Sequence, residues 1–428
     1  MPNGDTMTQA TTARTSAAAT STTSWQMWVP CIGMALCSWL SFVDRQVLNI
    51  LSPTIIADTG LTPQDFTTAT SFFFLTYTLG NPVWGSVLDR VGLRIGMMLA
   101  VGVWTAASMS HAAMASFAGF ALARAVLGLG EGGTFPGGLR TAVETLPPNL
   151  RARGIALSFS GGTIGAVMMP VLLGPLAISY GWRVAFVATG VLGVLWMVIW
   201  AAIARPPFLH KSAHMTTKME WPNLRERRVW ALFFSYALPA ISPGPVLTIL
   251  AIYLVQRLQM TQADVNSVVW IPPLTWGIGY FFWGWAADRY AANNPRPVGM
   301  FMLLTVISLT LGFTTMTTSV PIAIGLISLS TFIGGGFQMV ALKVGSYAFP
   351  REQSAMMSGI ASGSWSLVNF ILLQAIGPRS NLMDNQRWEE IFWIIALLPM
   401  VGIAVWLVLS RGQSAPATHG MGPVAHRA

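Results

Sequence analysis

The sequence predicts an all-α membrane protein of twelve transmembrane helices in two six-helix bundles. Three observations predict it. Of 428 residues, 53% are hydrophobic and 9% charged, against roughly 25% charged in an ordinary soluble domain, which speaks against a soluble globular enzyme. Apolar runs near the length of a helical crossing, about 20 residues, recur twelve times, as six and six around a polar stretch. The two sets of six also repeat each other's motifs.

Residues 1–25 are mostly Ser, Thr and Ala with a single Arg14, too polar for the core of a signal peptide. They are expected to form a disordered cytoplasmic tail. The first bundle, 26–204, contains the runs 27–51, 66–88, 95–114, 117–143, 154–178 and 183–203. The stretch 205–228 carries Arg205, Lys211, Lys218, Arg225, Arg227 and Arg228 and reads as a cytoplasmic linker, with His210 and His214 solvated. The second bundle, 229–410, contains the runs 229–256, 264–287, 298–317, 320–347, 354–376 and 389–409, and 411–428 is a second cytoplasmic tail.

Lys and Arg set the orientation, because positive loops stay in the cytoplasm. With both termini inside, sixteen of the 24 fall on the cytoplasmic side and four, Arg183, Arg257, Arg379 and Arg387, outside. Arg140 and Lys343, near cytoplasmic helix ends, are expected to reach back to the interface. The net charge of +9 therefore reports topology and not nucleic-acid binding. Cys31 and Cys37 lie six apart on different helix faces and match no metal or disulfide spacing. No Walker phosphate loop, H-E-x-x-H or G-x-S-x-G occurs, so ATP hydrolysis and hydrolase chemistry have no foothold. No cofactor or metal is expected, and energy would come from an ion gradient.

The halves echo each other. Gly85-x-x-x-Asp89-Arg90 closes the second span and recurs 199 residues later as Gly284-x-x-x-Asp288-Arg289, closing the eighth. Gly174-Pro175 with Trp182-Arg183 recurs as Gly377-Pro378 with Arg387-Trp388. A duplicated six-helix unit places a substrate site between the repeats near the bilayer midplane.

The run Gly85-Ser86-Val87-Leu88-Asp89-Arg90-Val91-Gly92-Leu93-Arg94 resembles the signature loop of the major facilitator superfamily. Asp44-Arg45-Gln46, Gly130-Glu131 with Phe135-Pro136-Gly137-Gly138, and Gly181-Trp182-Arg183 with Ala185-Phe186 and Thr189-Gly190 are similar to its anion:cation symporter family, most of all to the hexuronate and sugar-acid transporters. The resemblance runs from 28 to about 410 and is strongest in the first half. It implies the major facilitator fold and a cytoplasmic latch at Gly85, Asp89, Arg90 and Arg94. Asp89 can meet the positive end of a helix from the other half.

A charge at membrane depth costs at least about 2.5 to 3.5 kcal/mol, so it persists where paired, hydrated or useful. Asp44 and Glu131 are the acids well inside spans, and Arg45 and Arg124 the bases at comparable depth. Arg124 and Glu131 are seven apart, two turns along one helix face. Asp44 and Arg45 diverge by about 100°, so one faces substrate and the other a neighbouring helix. A guanidinium stays charged and grips a carboxylate through two parallel bonds, whereas coupling needs a group that titrates. Two buried ion pairs that merely orient helices are the bland alternative. The resemblance implies protonation at Asp44 and Glu131 and anion binding at Arg45 and Arg124. It departs at Phe42, where relatives often carry Tyr, and Tyr77 can supply the missing hydroxyl. Second-half candidates are Tyr253, Gln338, Ser364 and Asn369, with Trp365 to stack on a sugar ring. The run Gly128-Leu129-Gly130-Glu131-Gly132-Gly133 sits mid-span without a following Lys and reads as helix packing.

The expectation is a proton-coupled symporter of a bacterial-type inner membrane, functional as a monomer among lipids. It would import a small organic anion, a hexuronate or related sugar acid, by alternating access. The alternatives are an anion exchanger or potential-driven facilitator without proton coupling, and, from another class, a membrane sensor that does not transport.

Overall fold

The computed structural model describes residues 25–147, 150–209, 223–290, 294, 296–349, 351–377 and 381–411. Arg14, Lys211, Lys218, Arg379 and Arg427, with His210, His214, most of the linker and nearly all of both tails, lie outside the described residues, as does the side chain of Arg351. Among the described residues all regular structure is helical. Among the described residues, eight helices are long and apolar enough to cross a membrane. One of them, Pro63–Ala113, has 51 residues, or about 75 Å at 1.5 Å per residue, more than two crossings of a roughly 30 Å core. It holds the second and third spans, folded over at Gly92 (φ 82°, ψ 162°), a backbone conformation that glycine adopts readily. The fourth, seventh and eighth spans are each two helices in tandem: Phe117–Glu131 with Thr134–Thr145, Arg227–Tyr236 with Pro243–Leu258, and Gln262–Val268 with Ile271–Tyr290. Twelve spans result.

The duplication reaches the helix caps. Thr62 and Asp65 cap the second span by reciprocal side-chain to backbone hydrogen bonds, and Thr261 and Asp264, again 199 residues on, cap the eighth the same way. The motif aspartates also match. Arg140 Nη1 meets Asp89 Oδ1 at 2.8 Å, and Lys343 Nζ meets Asp288 Oδ1 at 2.8 Å. The two bases expected to reach for the interface are thus turned onto their own half's loop, because the tenth span packs on the eighth as the fourth packs on the second.

Between the halves, the second span packs on the eleventh and the fifth on the eighth, pairings that the duplication exchanges. The side-chain hydrogen bonds that join the halves among the described residues cluster toward one face. Thr54 Oγ1 donates to Gln262 Oε1 (3.0 Å), Gln262 Nε2 to the Ile50 carbonyl (3.0 Å), the Gln64 amide to Asp384 (3.0 Å) and Gln374 to Ser71 (2.9 Å). Thr78 to the Gly363 carbonyl, 3.2 Å, is the deepest of them. At the opposite face, nothing lies within 4 Å of where a Cβ would stand on Gly85 or Gly284, and the Asp89 and Asp288 side chains are 80% and 82% exposed. The halves are thus joined at the face of residues 52–64, and the motif aspartates at the opposite face, that of the Asp89 loop, stand exposed.

Candidate functional site

Glycines set the depth of the site. A Cβ on Gly132 would come within 2.7 Å of the Gly80 backbone, and one on Gly130 within 2.8 Å of the Trp104 backbone. The glycine-rich run thus lets the fourth span lie directly on the second and third, carrying Glu131 and Arg124 into the bundle centre. Glu131 is fully buried, and its Oε2 accepts from Arg45 Nε at 2.6 Å and Ser41 Oγ at 2.7 Å. The Arg45 guanidinium carbon also lies 4.8 to 4.9 Å from the ring centroids of Phe42, Phe73 and Tyr77, an aromatic cage that favours a cation. Phe42, the position noted as a departure from the resembled family, contributes a ring face to that cage.

Asp44 turns the other way, as its 100° offset from Arg45 requires. It is 1% exposed, and Oδ1 accepts from Ser108 Oγ at 2.7 Å; Ser108 in turn lies 2.9 Å from Thr189 Oγ1. Arg124 is 1% exposed, yet its Nε and Nη2 have no partner among the described residues. A buried guanidinium with two open donors is suited to a carboxylate. Two acids and two bases thus lie within the first bundle, and only the bases line the pocket.

Arg45, Arg124 and Trp365 line a pocket between the halves, with Gln46, Asn49, Thr70, Phe74, Thr248 and Trp276. Tyr77 touches it through Arg45, and Asn369 abuts the pocket-lining Gly244. Besides Asn369, three second-half candidates stand outside the lining. Gln338 Oε1 accepts from Trp276 Nε1 at 3.2 Å, Ser364 donates to the Ala361 carbonyl at 2.6 Å, and Tyr253 donates to the Thr314 carbonyl at 3.3 Å. Gln338 therefore orients a lining residue. Of the loop residues, Asp89 holds Arg140, Arg94 Nη2 donates to the Ala201 carbonyl at 3.2 Å, and Arg90 is exposed.

Sequence reasoning passed over Asn49, Thr70, Trp276 and His111. Asn49 is one turn beyond Arg45, a spacing that could have drawn notice. His111 is fully buried, stacked on Phe186 at 5.0 Å between ring centroids, with Nδ1 2.8 Å from the Ala107 carbonyl and Nε2 without a partner among the described residues. A histidine at the end of the third apolar run was the available signal.

Residues 34–373 match the family model described as Major Facilitator Superfamily. The chain is 22% identical over 406 residues to a hexuronate transporter of Escherichia coli (strain K12), across 88% of this chain and 92% of that protein. It is 24% identical over 359 residues to a D-galactonate transporter of Escherichia coli O6:H1, across 77% and 78%. Among solved structures, a bacterial homologue of the human lysosomal transporter Spinster superposes with a TM-score of 0.75 at 16% identity, covering 91% of this chain and 98% of that one.

Proposed function

The chain belongs to the major facilitator superfamily, and from that premise we propose that this integral membrane transporter carries a small organic anion, a hexuronate or related sugar acid, together with protons by alternating access. The observation that carries the reading is Arg124: a buried guanidinium with Nε and Nη2 both open, on the wall of a pocket between the halves. Left empty, such a charge is costly, and an anionic ligand removes the cost. The relatives named for hexuronate and galactonate transport support the substrate class.

Coupling follows from the Arg45–Glu131 pair. While Glu131 is ionised it occupies Arg45, and a proton on Glu131 releases the guanidinium to the anion. Asp44, hydrogen-bonded to Ser108 and not to either member of that pair, is a second protonatable group. Proton and anion then load together, the cavity wall stays near neutral, and the halves rock. By the positive-inside rule the face of the Asp89 loop is cytoplasmic, and the bacterial relatives support a place in an inner membrane. Uptake of radiolabelled glucuronate into proteoliposomes under an inward proton gradient tests the reading. Accumulation that collapses with a protonophore is expected, and uptake indifferent to the gradient would oppose proton coupling.

A further inference from the structure

Asn49 and Thr70 line the same pocket as the two arginines and have no role assigned so far. Asn49 follows Arg45 by one helical turn, about 6 Å along the same face. Thr70 precedes Phe73, Phe74 and Tyr77 at helical spacing, on the face of the second span that cages Arg45. Both line the pocket. Asn49 Oδ1 and Thr70 Oγ1 are buried and have no hydrogen-bond partner among the described residues, while the Asn49 amide nitrogen makes only a long 3.4 Å bond to Gln46. A buried polar atom left unpaired costs about 1–3 kcal/mol, and in a native structure it calls for a partner not present.

We infer that Asn49 and Thr70 read the hydroxyl groups of the transported anion, so that the pocket selects a polyhydroxy carboxylate over a plain one. The inference rests on the sugar-acid reading of the same pocket. The chemistry of the two atoms is complementary to vicinal hydroxyls: Asn49 Oδ1 can only accept, and Thr70 Oγ1 can donate or accept. Arg124 takes the carboxylate through its open donors. The opposite wall presents Trp276 and Trp365, stacked at 6.4 Å and 27°, a flat apolar surface that suits the C–H face of a sugar ring and offers its hydroxyls little. The unpaired oxygens of Asn49 and Thr70 on the first-half wall and the two indole rings across from them set which edge of the ligand faces the first half.

Calorimetry on the purified full-length protein in detergent tests this with two probes. One is the better bound of D-glucuronate and D-galacturonate; the other is cyclohexanecarboxylate, a six-membered ring with the same carboxylate and no hydroxyls. The wild type is expected to prefer the sugar acid by at least roughly tenfold. Asn49→Leu and Thr70→Val, near-isosteric and lacking the oxygen, should each weaken the sugar acid about five- to tenfold and leave cyclohexanecarboxylate unchanged. Thr70→Ser, which keeps the hydroxyl, should retain the preference even if the valine variant folds poorly. Unchanged sugar-acid affinity in both variants, or equal weakening of both probes, overturns the inference alone. A wild type that binds neither probe overturns the sugar-acid reading and this inference with it.

Discussion

Arg45 in the first span and Glu131 in the fourth are joined by a 2.6 Å bond from Nε to Oε2, inside a cage of three aromatic rings. In the proposed mechanism, that carboxylate and an anionic substrate compete for one guanidinium. Competition of this kind links protonation to binding through differential contacts in two states, which is what coupling requires.

Glu131→Gln and Asp44→Asn keep shape but cannot titrate. Both should abolish or strongly reduce accumulation driven by an inward proton gradient, while at least one still binds the anion and exchanges labelled for unlabelled substrate across a proteoliposome membrane. Net symport needs the empty carrier to return deprotonated, whereas exchange needs only the loaded carrier to rock. Accumulation as steep as wild type in both variants, with the same pH dependence, would transfer the proton to another group.

Arg124→Ala and Arg124→Lys should both lose substrate binding. The alanine removes a buried cation, a change of about 3 to 5 kcal/mol when its partner is an ion, or well over 100-fold in affinity. Lysine keeps the charge but not the two fixed donors. Titration of folded protein checks this, and normal affinity in the alanine variant would move the anion site.

Gln262 joins the halves at the face of residues 52–64 through Thr54 and the Ile50 carbonyl. Gln262→Ala should raise the share of molecules open at that face. A cysteine replacing the pocket-lining Leu247 should then react faster with an impermeant thiol reagent added on the side of residues 52–64. Equal labelling rates with and without the glutamine would show that this contact does not hold the face shut.

Single cysteines at positions 215 and 422 should label only in permeabilised cells, as cytoplasmic placement of the linker and the C-terminal tail demands. Labelling of intact cells would invert the topology.

Helix number, the duplication and the packing role of the glycines were legible in the sequence, because each is written in local spacing. An apolar run of about 20 residues answers to the bilayer wherever it occurs, Gly-x-x-x-Asp-Arg repeats at a fixed offset, and Gly130 and Gly132 carry no Cβ to keep the fourth span off its neighbours. The fold-over at Gly92 was legible as well, as a motif glycine in the loop between the second and third apolar runs.

The choice of partners belonged to the tertiary structure. Spacing put Arg124 and Glu131 on one helix face, yet that Glu131 holds Arg45, 86 residues away in the chain, depends on how the first and fourth spans are rotated against each other. The same rotation leaves Arg124 open to the pocket, turns Arg140 and Lys343 onto the motif aspartates and hides Tyr253 behind Trp388 and Phe392. Hydrophobicity decides which residues enter the membrane, because it acts on each residue separately. Which buried polar groups meet is decided by close packing between helices, a property of pairs of faces that no single run of sequence contains.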